Sequence, residues 1–270
     1  MINIRRLAYR LRYWSLVATT TAGSGHPTSC LSAADIVATL FFNIMNPKQH
    51  DAHFILSKGH AAPLLYAAWH ELGMVTKDEL LSLRSFNSTL EGHPTTRLPL
   101  VQAATGSLGQ GLSIGIGYTL AEQLQKTNKR TYVLLGDGEC AEGSVWEAAE
   151  LASFYHLYNL IGTIDLNRLG QSGQTLIGWD NKSMEAKWQA FGWHTITVNG
   201  HDVDALLAAY HHAHLITDKP TMVIACTQKG YGVELCENKE DFHGKVFSQE
   251  ELPHALASLA AHFPEDMHDI

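Results

Sequence analysis

Over the first hundred residues the apolar positions follow a helical period. Leu7, Leu11, Trp14 and Val17 share one face of a helix predicted over 4–19. A second apolar run extends from Ala33 to Phe42, and Ser32 stands where a helix cap would. A short apolar piece, Phe54-Ile-Leu, precedes Ser57-Lys-Gly-His60, and residues 61–72 read as a further helix. The rhythm then changes. Tyr132–Leu135, Leu160–Ile164, His194–Val198 and Thr221–Cys226 are compact apolar runs of strand type. Helical patterns over 144–156, 181–191 and 202–216 separate them. Strands alternating with helices predict right-handed crossovers and an α/β fold, a parallel sheet flanked by helices with a helical amino-terminal part.

In such a sheet ligands bind beyond the carboxyl ends of the strands. The polar and glycine-rich stretches of this chain fall there, at 136–139, 165–171 and 227–232. Gly136-Asp-Gly-Glu139 and Asp165-Leu-Asn167 close two successive strands, one βαβ unit apart. Asp137 offers a carboxylate and Asn167 an amide oxygen, hard ligands that suit Mg²⁺ or Ca²⁺. Gly138 lets a backbone N–H approach a phosphate closely. The same residues also read as a tight turn in which Asp137 caps the next helix. Thr105-Gly-Ser-Leu-Gly-Gln-Gly111 opens an apolar stretch, Leu112 to Leu120, and brings backbone close to a flat or phosphorylated group at a helix start. It is neither a Walker A loop nor GxGxxG.

Histidine supplies the third signal. His26, His60, His93 and His243 each have a glycine neighbour that opens space around the ring. Together they predict a pocket suited to proton transfer or to hydroxyl and phosphate recognition. His156, His211, His212, His214, His262 and His268 sit in helical or terminal contexts and read as surface or core residues. Glu142 and Glu147 follow the metal loop, either as a solvated helix start or as a contact across a subunit interface.

Composition narrows the classes. The 270 residues are 45% hydrophobic and 17% charged, as in a soluble globular protein, and read as one domain over 1–270. A net charge of −8 disfavours a nucleic-acid partner. No apolar run approaches the ~18 residues of a membrane span, and the opening residues lack the apolar core of a signal peptide. Cys30, Cys140, Cys226 and Cys236 form no CxxC pair, which suits a reducing cytoplasm.

These stretches, taken in order, carry a family resemblance. Ala22-Gly-Ser-Gly-His-Pro27, Ile55-Leu-Ser-Lys-Gly-His60, Leu90-Glu-Gly-His-Pro94, Thr105–Gly111, Gly136–Glu142, Asp165–Asn167, Lys229-Gly-Tyr-Gly232 and Glu237–Gly244 resemble the amino-terminal section of a transketolase. The likeness is nearest to the split form, in which two genes encode the two halves. It implies the thiamine diphosphate-binding fold, with thiamine diphosphate and Mg²⁺ as cofactors, Ca²⁺ being an alternative. It implies Asp137, Asn167 and the Leu169 carbonyl as metal ligands, and His60, Gly138 and His243 at the diphosphate. Gly106, Ser107 and Leu108 would lie against the cofactor rings. His26 and His93 would face a sugar phosphate substrate, and Glu142 would sit at the interface beside a partner's carboxylate. Thr28 stands where the family usually has a glycine.

In that family a glutamate on a second domain holds the aminopyrimidine, and only seven residues follow Phe263 here. The resemblance therefore implies a partner chain with the pyrimidine-binding domain, an A2B2 assembly, and ketol transfer between a ketose and an aldose phosphate. A transketolase for an unusual ketose phosphate, a deoxyxylulose-phosphate synthase, a dehydrogenase component of E1 type and a non-catalytic relative are the alternatives.

Overall fold

The computed structural model describes residues 3–127, 129–264 and 267; His268 lies outside them. The chain opens with α1 (Ile4–Ala22) and α2 (Pro27–Thr39), then enters β1 (Ala52–Leu56), α3 (Ala62–Glu71) and α4 (Lys77–Leu81). There follow α5 (Gln110–Leu124), β2 (Arg130–Gly136), α6 (Gly143–Phe154), β3 (Leu160–Leu166) and α7 (Asn181–Ala190). The last elements are β4 (His194–Asn199), α8 (Val203–Ala213), β5 (Thr221–Cys226) and α9 (Leu252–His262). The strands form one sheet in the order β1-β2-β3-β5-β4. Every pairing is parallel.

Both faces of the sheet are covered, which is why its strands read as unbroken apolar runs. Alternation along β2 divides the core. Tyr132 and Leu134 pack with α1, α2, α3 and α8 on one side. Val133 and Leu135 pack with α5, α6 and α7 on the other. A smaller cluster docks α9 onto Tyr9, Leu16 and Leu31.

Two sequence expectations need correction. Phe54-Ile-Leu belongs to a fifth strand, β1, whose five residues are too few for a clear alternation. Ser32 is not a cap: α2 begins earlier, with His26 as N-cap and Pro27 in the first turn, where its missing N–H costs nothing. Thr28 is helical there, and its Oγ1 donates to the Phe242 carbonyl at 3.4 Å.

A third correction concerns α2 and its π-helical extension. Pro27–Ile44 forms 18 residues of mean hydropathy 1.3, long and apolar enough to cross a membrane by length and composition. It is 83% buried inside the protein, so its apolarity serves packing. The one acidic residue in α2, Asp35, is paired internally with Arg12 of α1, which is fully buried. His201, beyond β4, adds its Nδ1 to the same carboxylate at 2.9 Å.

Helix α5 lies close against the sheet. A methyl at Gly115 would stand 2.5 Å from Val133 Cγ2, and one at Gly111 only 2.7 Å from Ser57 Cα. Both distances are far inside van der Waals contact, so both positions demand glycine.

Removing one partner of a buried pair leaves an uncompensated charge. Asp35→Ala is expected to destabilise the chain by about 3–5 kcal/mol in urea unfolding. Asp204→Ala removes the exposed partner of Arg5 and should cost less than about 1 kcal/mol.

Candidate active site

Because the strands are parallel, their carboxyl ends meet at one edge of the sheet. A cavity of about 580 Å³ opens there. The ends of β1, β2, β3 and β5 deliver Lys58 with His60, Asp137 with Gly138, Asn167 with Leu169, and Lys229 respectively. The β2 and β3 ends are direct neighbours, with Gly136 opposite Asp165 in register. The pairing of these two loops inferred from their spacing is therefore real.

His26, His60 and His243 form a triangle with ring centroids 5.0–5.4 Å apart. Burial pushes His26 down from 6.5 to about 4 and His243 to about 3. Burial also takes His60 well below 6.5, with Lys58 adding to the effect. All three rings are therefore neutral at pH 7 in the ligand-free chain. His93 lines the same cavity and is lowered by burial and by Arg84. It packs on Gly106, where a methyl would come within 2.7 Å of its ring. Gly106 holds a φ of +142°, which a side chain would strain.

Asp137 is buried, and its carboxylate turns inward on its own loops. Oδ1 accepts from Gly138 N at 2.8 Å, and Oδ2 accepts from Arg168 N at 2.5 Å. Burial, then the neighbouring charge of Asp165, pushes its acid up to about 6. The Leu169 carbonyl accepts from Lys229 Nζ at 2.7 Å. That ammonium also reaches Gly170 O at 3.0 Å and His243 Nδ1 at 2.7 Å. Burial lowers Lys229 to about 8.

Nine of the expected residues line this cavity: His26, His60, His93, Gly106, Leu108, Asp137, Gly138, Asn167 and Leu169, with His243 as the tenth. Two do not. Ser107 is exposed and lies outside the lining. Glu142 is an exposed N-cap of α6 whose Cβ side packs toward Gly109. Its placement in the catalytic set is corrected, because its carboxylate does not face the cavity residues. The buried carboxylate of that segment is Glu139, which accepts from Gly109 N at 2.9 Å and Gly136 N at 3.1 Å, and also from Ser57 Oγ. It ties the glycine-rich loop to the β2 end.

Sequence reasoning also passed over Lys58, Lys229 and Asp165. Each stood inside a quoted motif, but a lone lysine or aspartate is ordinarily a surface residue. Their signal was position: each follows or ends a strand on the edge where the glycines gather.

The residues fit a diphosphate held with a hard cation. Among the described residues no three His, Cys, Asp or Glu side chains cluster to hold a metal alone. One carboxylate, one amide oxygen and one carbonyl leave the remaining positions to phosphate oxygens and water, as Mg²⁺ prefers. Two buried lysines, Lys58 and Lys229, supply positive charge. His26 Nδ1 is buried without a hydrogen-bond partner, a group left available to a ligand.

The neutral histidines give the ligand-free chain an acid-sensitive stability. The unfolded chain binds protons near pH 6.5, whereas folded His26 and His243 bind them only near 4 and 3. Stability present above about pH 6.5 is thus lost as the pH falls toward about 4. Urea midpoints should drop between about pH 7 and about pH 5, and a His26→Ala/His243→Ala variant should show a shallower drop. An unchanged slope in that variant would remove these rings from the account.

Comparison with known proteins agrees with the geometry. Residues 4–266 match the family described as transketolase, thiamine diphosphate binding domain. Transketolase-like protein 2 of Bos taurus is 51% identical over 255 residues, covering 92% of this chain and 41% of that protein. The chain thus spans about two-fifths of the length of such relatives. The first of the named subunits of an apulose-4-phosphate transketolase, from Phocaeicola vulgatus, is 36% identical over 245 residues, covering 88% of this chain and 87% of that one. Among solved structures, transketolase from Leishmania mexicana superimposes with a TM-score of 0.88 at 30% identity, covering 96% of this chain and 42% of that one. By sequence along nearly its whole length, and by the strand-end site just described, this chain belongs to the transketolase family and carries its thiamine diphosphate binding domain.

Proposed function

We propose that this chain is the diphosphate-binding subunit of a two-subunit transketolase, which moves a two-carbon ketol unit from a ketose phosphate to an aldose phosphate. The observation that carries the reading is the end-to-end match to the Phocaeicola vulgatus protein, itself named as one subunit of a transketolase. In this reading a second chain supplies the pyrimidine-binding domain, and the two form an A2B2 assembly in the cytoplasm. The free state of all four cysteines supports a reducing compartment. Exposed apolar residues on α5 and α6 support the assembly: Leu124 is 84% exposed and Phe154 72%. Gly117 and Gly143 on the same pair of helices face open space, so a neighbouring backbone could come close.

Bound thiamine diphosphate supplies the nucleophilic carbon for ketol transfer. The chain's own residues bind and orient. Asp137, Asn167 and Leu169 O would hold Mg²⁺, or Ca²⁺ in its place. Lys58, Lys229, His60 and His243 would meet diphosphate charge. His93 and His26, neutral at pH 7, can accept or donate a proton at a substrate hydroxyl. A second reading, a transketolase for an unusual ketose phosphate, is favoured by the apulose-4-phosphate in the name of the Phocaeicola vulgatus relative.

The test is reconstitution. The purified chain with thiamine diphosphate, Mg²⁺ and a ketose/aldose phosphate pair should show no ketol transfer. Adding the pyrimidine-domain chain should restore turnover and tighten cofactor binding together. Turnover by this chain alone would overturn the split arrangement.

Within the reconstituted enzyme the site should divide. Asp137→Ala is expected to abolish Mg²⁺-dependent thiamine diphosphate binding. His93→Ala should leave that binding nearly intact while lowering kcat/KM by roughly 10²–10⁴. Equal loss of cofactor affinity in both variants would place His93 at the diphosphate instead.

A further inference from the structure

Asp165 is fully buried at the end of β3, and four side chains converge on it. Ser32 Oγ of α2 donates to Oδ2 at 2.6 Å. Lys58 Nζ donates to the same oxygen, and Thr227 Oγ1, just past β5, donates to Oδ1. The fourth donor is the Asn167 side-chain amide, whose Nδ2 reaches Oδ2 at 3.1 Å. At its other end the Asn167 Oδ1 accepts from Leu169 N at 3.2 Å. These two contacts have opposite polarity. An ionised carboxylate only accepts, and a backbone N–H only donates. The carboxamide can therefore sit one way round: NH2 toward Asp165, oxygen toward the Leu169 loop.

We infer that Asp165 is a positioning residue: it fixes the polarity of the Asn167 carboxamide and, by its charge, requires an amide rather than a carboxylate at position 167. The inference rests on the reading of this edge as a metal and diphosphate site. A carboxylate at 167 would bring a second anion about 3 Å from the Asp165 oxygens, where it would lose a hydrogen bond and gain a repulsion in a buried setting. Asp137 already adds a further negative charge nearby. Among the described residues Lys58 is the single cationic side chain on Asp165, and its ammonium is committed there and to the Ser29 carbonyl at 3.2 Å. If ligand strength alone decided the residue, aspartate would be preferred, because a carboxylate is the stronger ligand for a hard cation. The amide is therefore a consequence of the charge behind it.

A double-mutant cycle on the full chain tests this. Mg²⁺ affinity is measured by titration calorimetry at saturating thiamine diphosphate for wild type, Asn167→Asp, Asp165→Asn and the double variant. Asn167→Asp is expected to weaken Mg²⁺ binding by about tenfold or more beside native Asp165, and by less than about threefold in the Asp165→Asn background. Tighter Mg²⁺ binding by Asn167→Asp, or an equal penalty in both backgrounds, would overturn the inference. Absence of Mg²⁺-dependent cofactor binding by the wild-type chain would overturn the reading of the site and this role with it; normal wild-type binding with no coupling would sink the role alone.

Should Asp165→Asn fail to fold, the native chain still answers. In a sample labelled with ¹⁵N-asparagine, the Asn167 NH2 pair is assigned by its loss in Asn167→Ser. It should exchange with water far more slowly than a free amide, by about 100-fold or more, before and after Mg²⁺ and thiamine diphosphate are added. Exchange at the free rate in either state would overturn the assignment.

Discussion

The buried contact between Lys58 and Asp165 is the tie on which the loops around the cavity depend. It bridges the ends of β1 and β3, and through Ser32 and Thr227 it takes in α2 and the β5 exit. Burial alone would raise the Asp165 acid, but the Lys58 ammonium and the hydroxyl donors hold it below the usual carboxylate range. An ion pair this deep gives little net stability, because desolvation offsets most of the attraction. What it provides is placement. Each of these loops is tied to its neighbour by a bond it cannot break without exposing a bare charge.

That arrangement explains why the site is built from loops yet is well defined. Glu139 plays the corresponding part on the other flank, binding Ser57, Gly109 and Gly136. Between these two buried carboxylates lie Asp137 and Asn167, whose oxygens accept mainly from backbone N–H groups of the strand-end loops. Lys229 is the contrasting cation. Among the described residues it meets carbonyls and a histidine nitrogen rather than a carboxylate, so its charge remains available to an anion.

Much of this was legible in the chain itself. Four strands and the helices between them followed from period, since parallel strands buried on both faces have a strong apolar signature. The glycine-flanked histidines at 26, 60, 93 and 243 did converge, because each glycine lets an imidazole stand beside another chain segment. β1 escaped because five residues give too short a run, and Ser32 misled because a serine before an apolar stretch looks like a cap. Its hydroxyl instead points out of the middle of α2 to Asp165, a contact 133 positions away. Glu142 misled in a related way: close to Asp137 in sequence, it turns outward with α6. Long-range partners of single polar residues leave no periodic trace, and those are the ones that had to be seen in three dimensions.

The close seat of α5 on the sheet has a consequence beyond packing. Where Gly111 and Gly115 meet Ser57 and Val133, two absent methyl groups set the height of the helix above the strands. The first turn of that helix is continuous with Gly106 and Leu108 at the cavity wall. The helix thus works as a lever whose fulcrum is the seam of glycines. A change in side-chain volume at Val133, which lies outside the cavity lining, would tilt the wall against His93 and alter the width of the mouth. Grip and selectivity in this protein are therefore tunable from behind the sheet, at residues that would be passed over by anyone inspecting only the lining of the cavity.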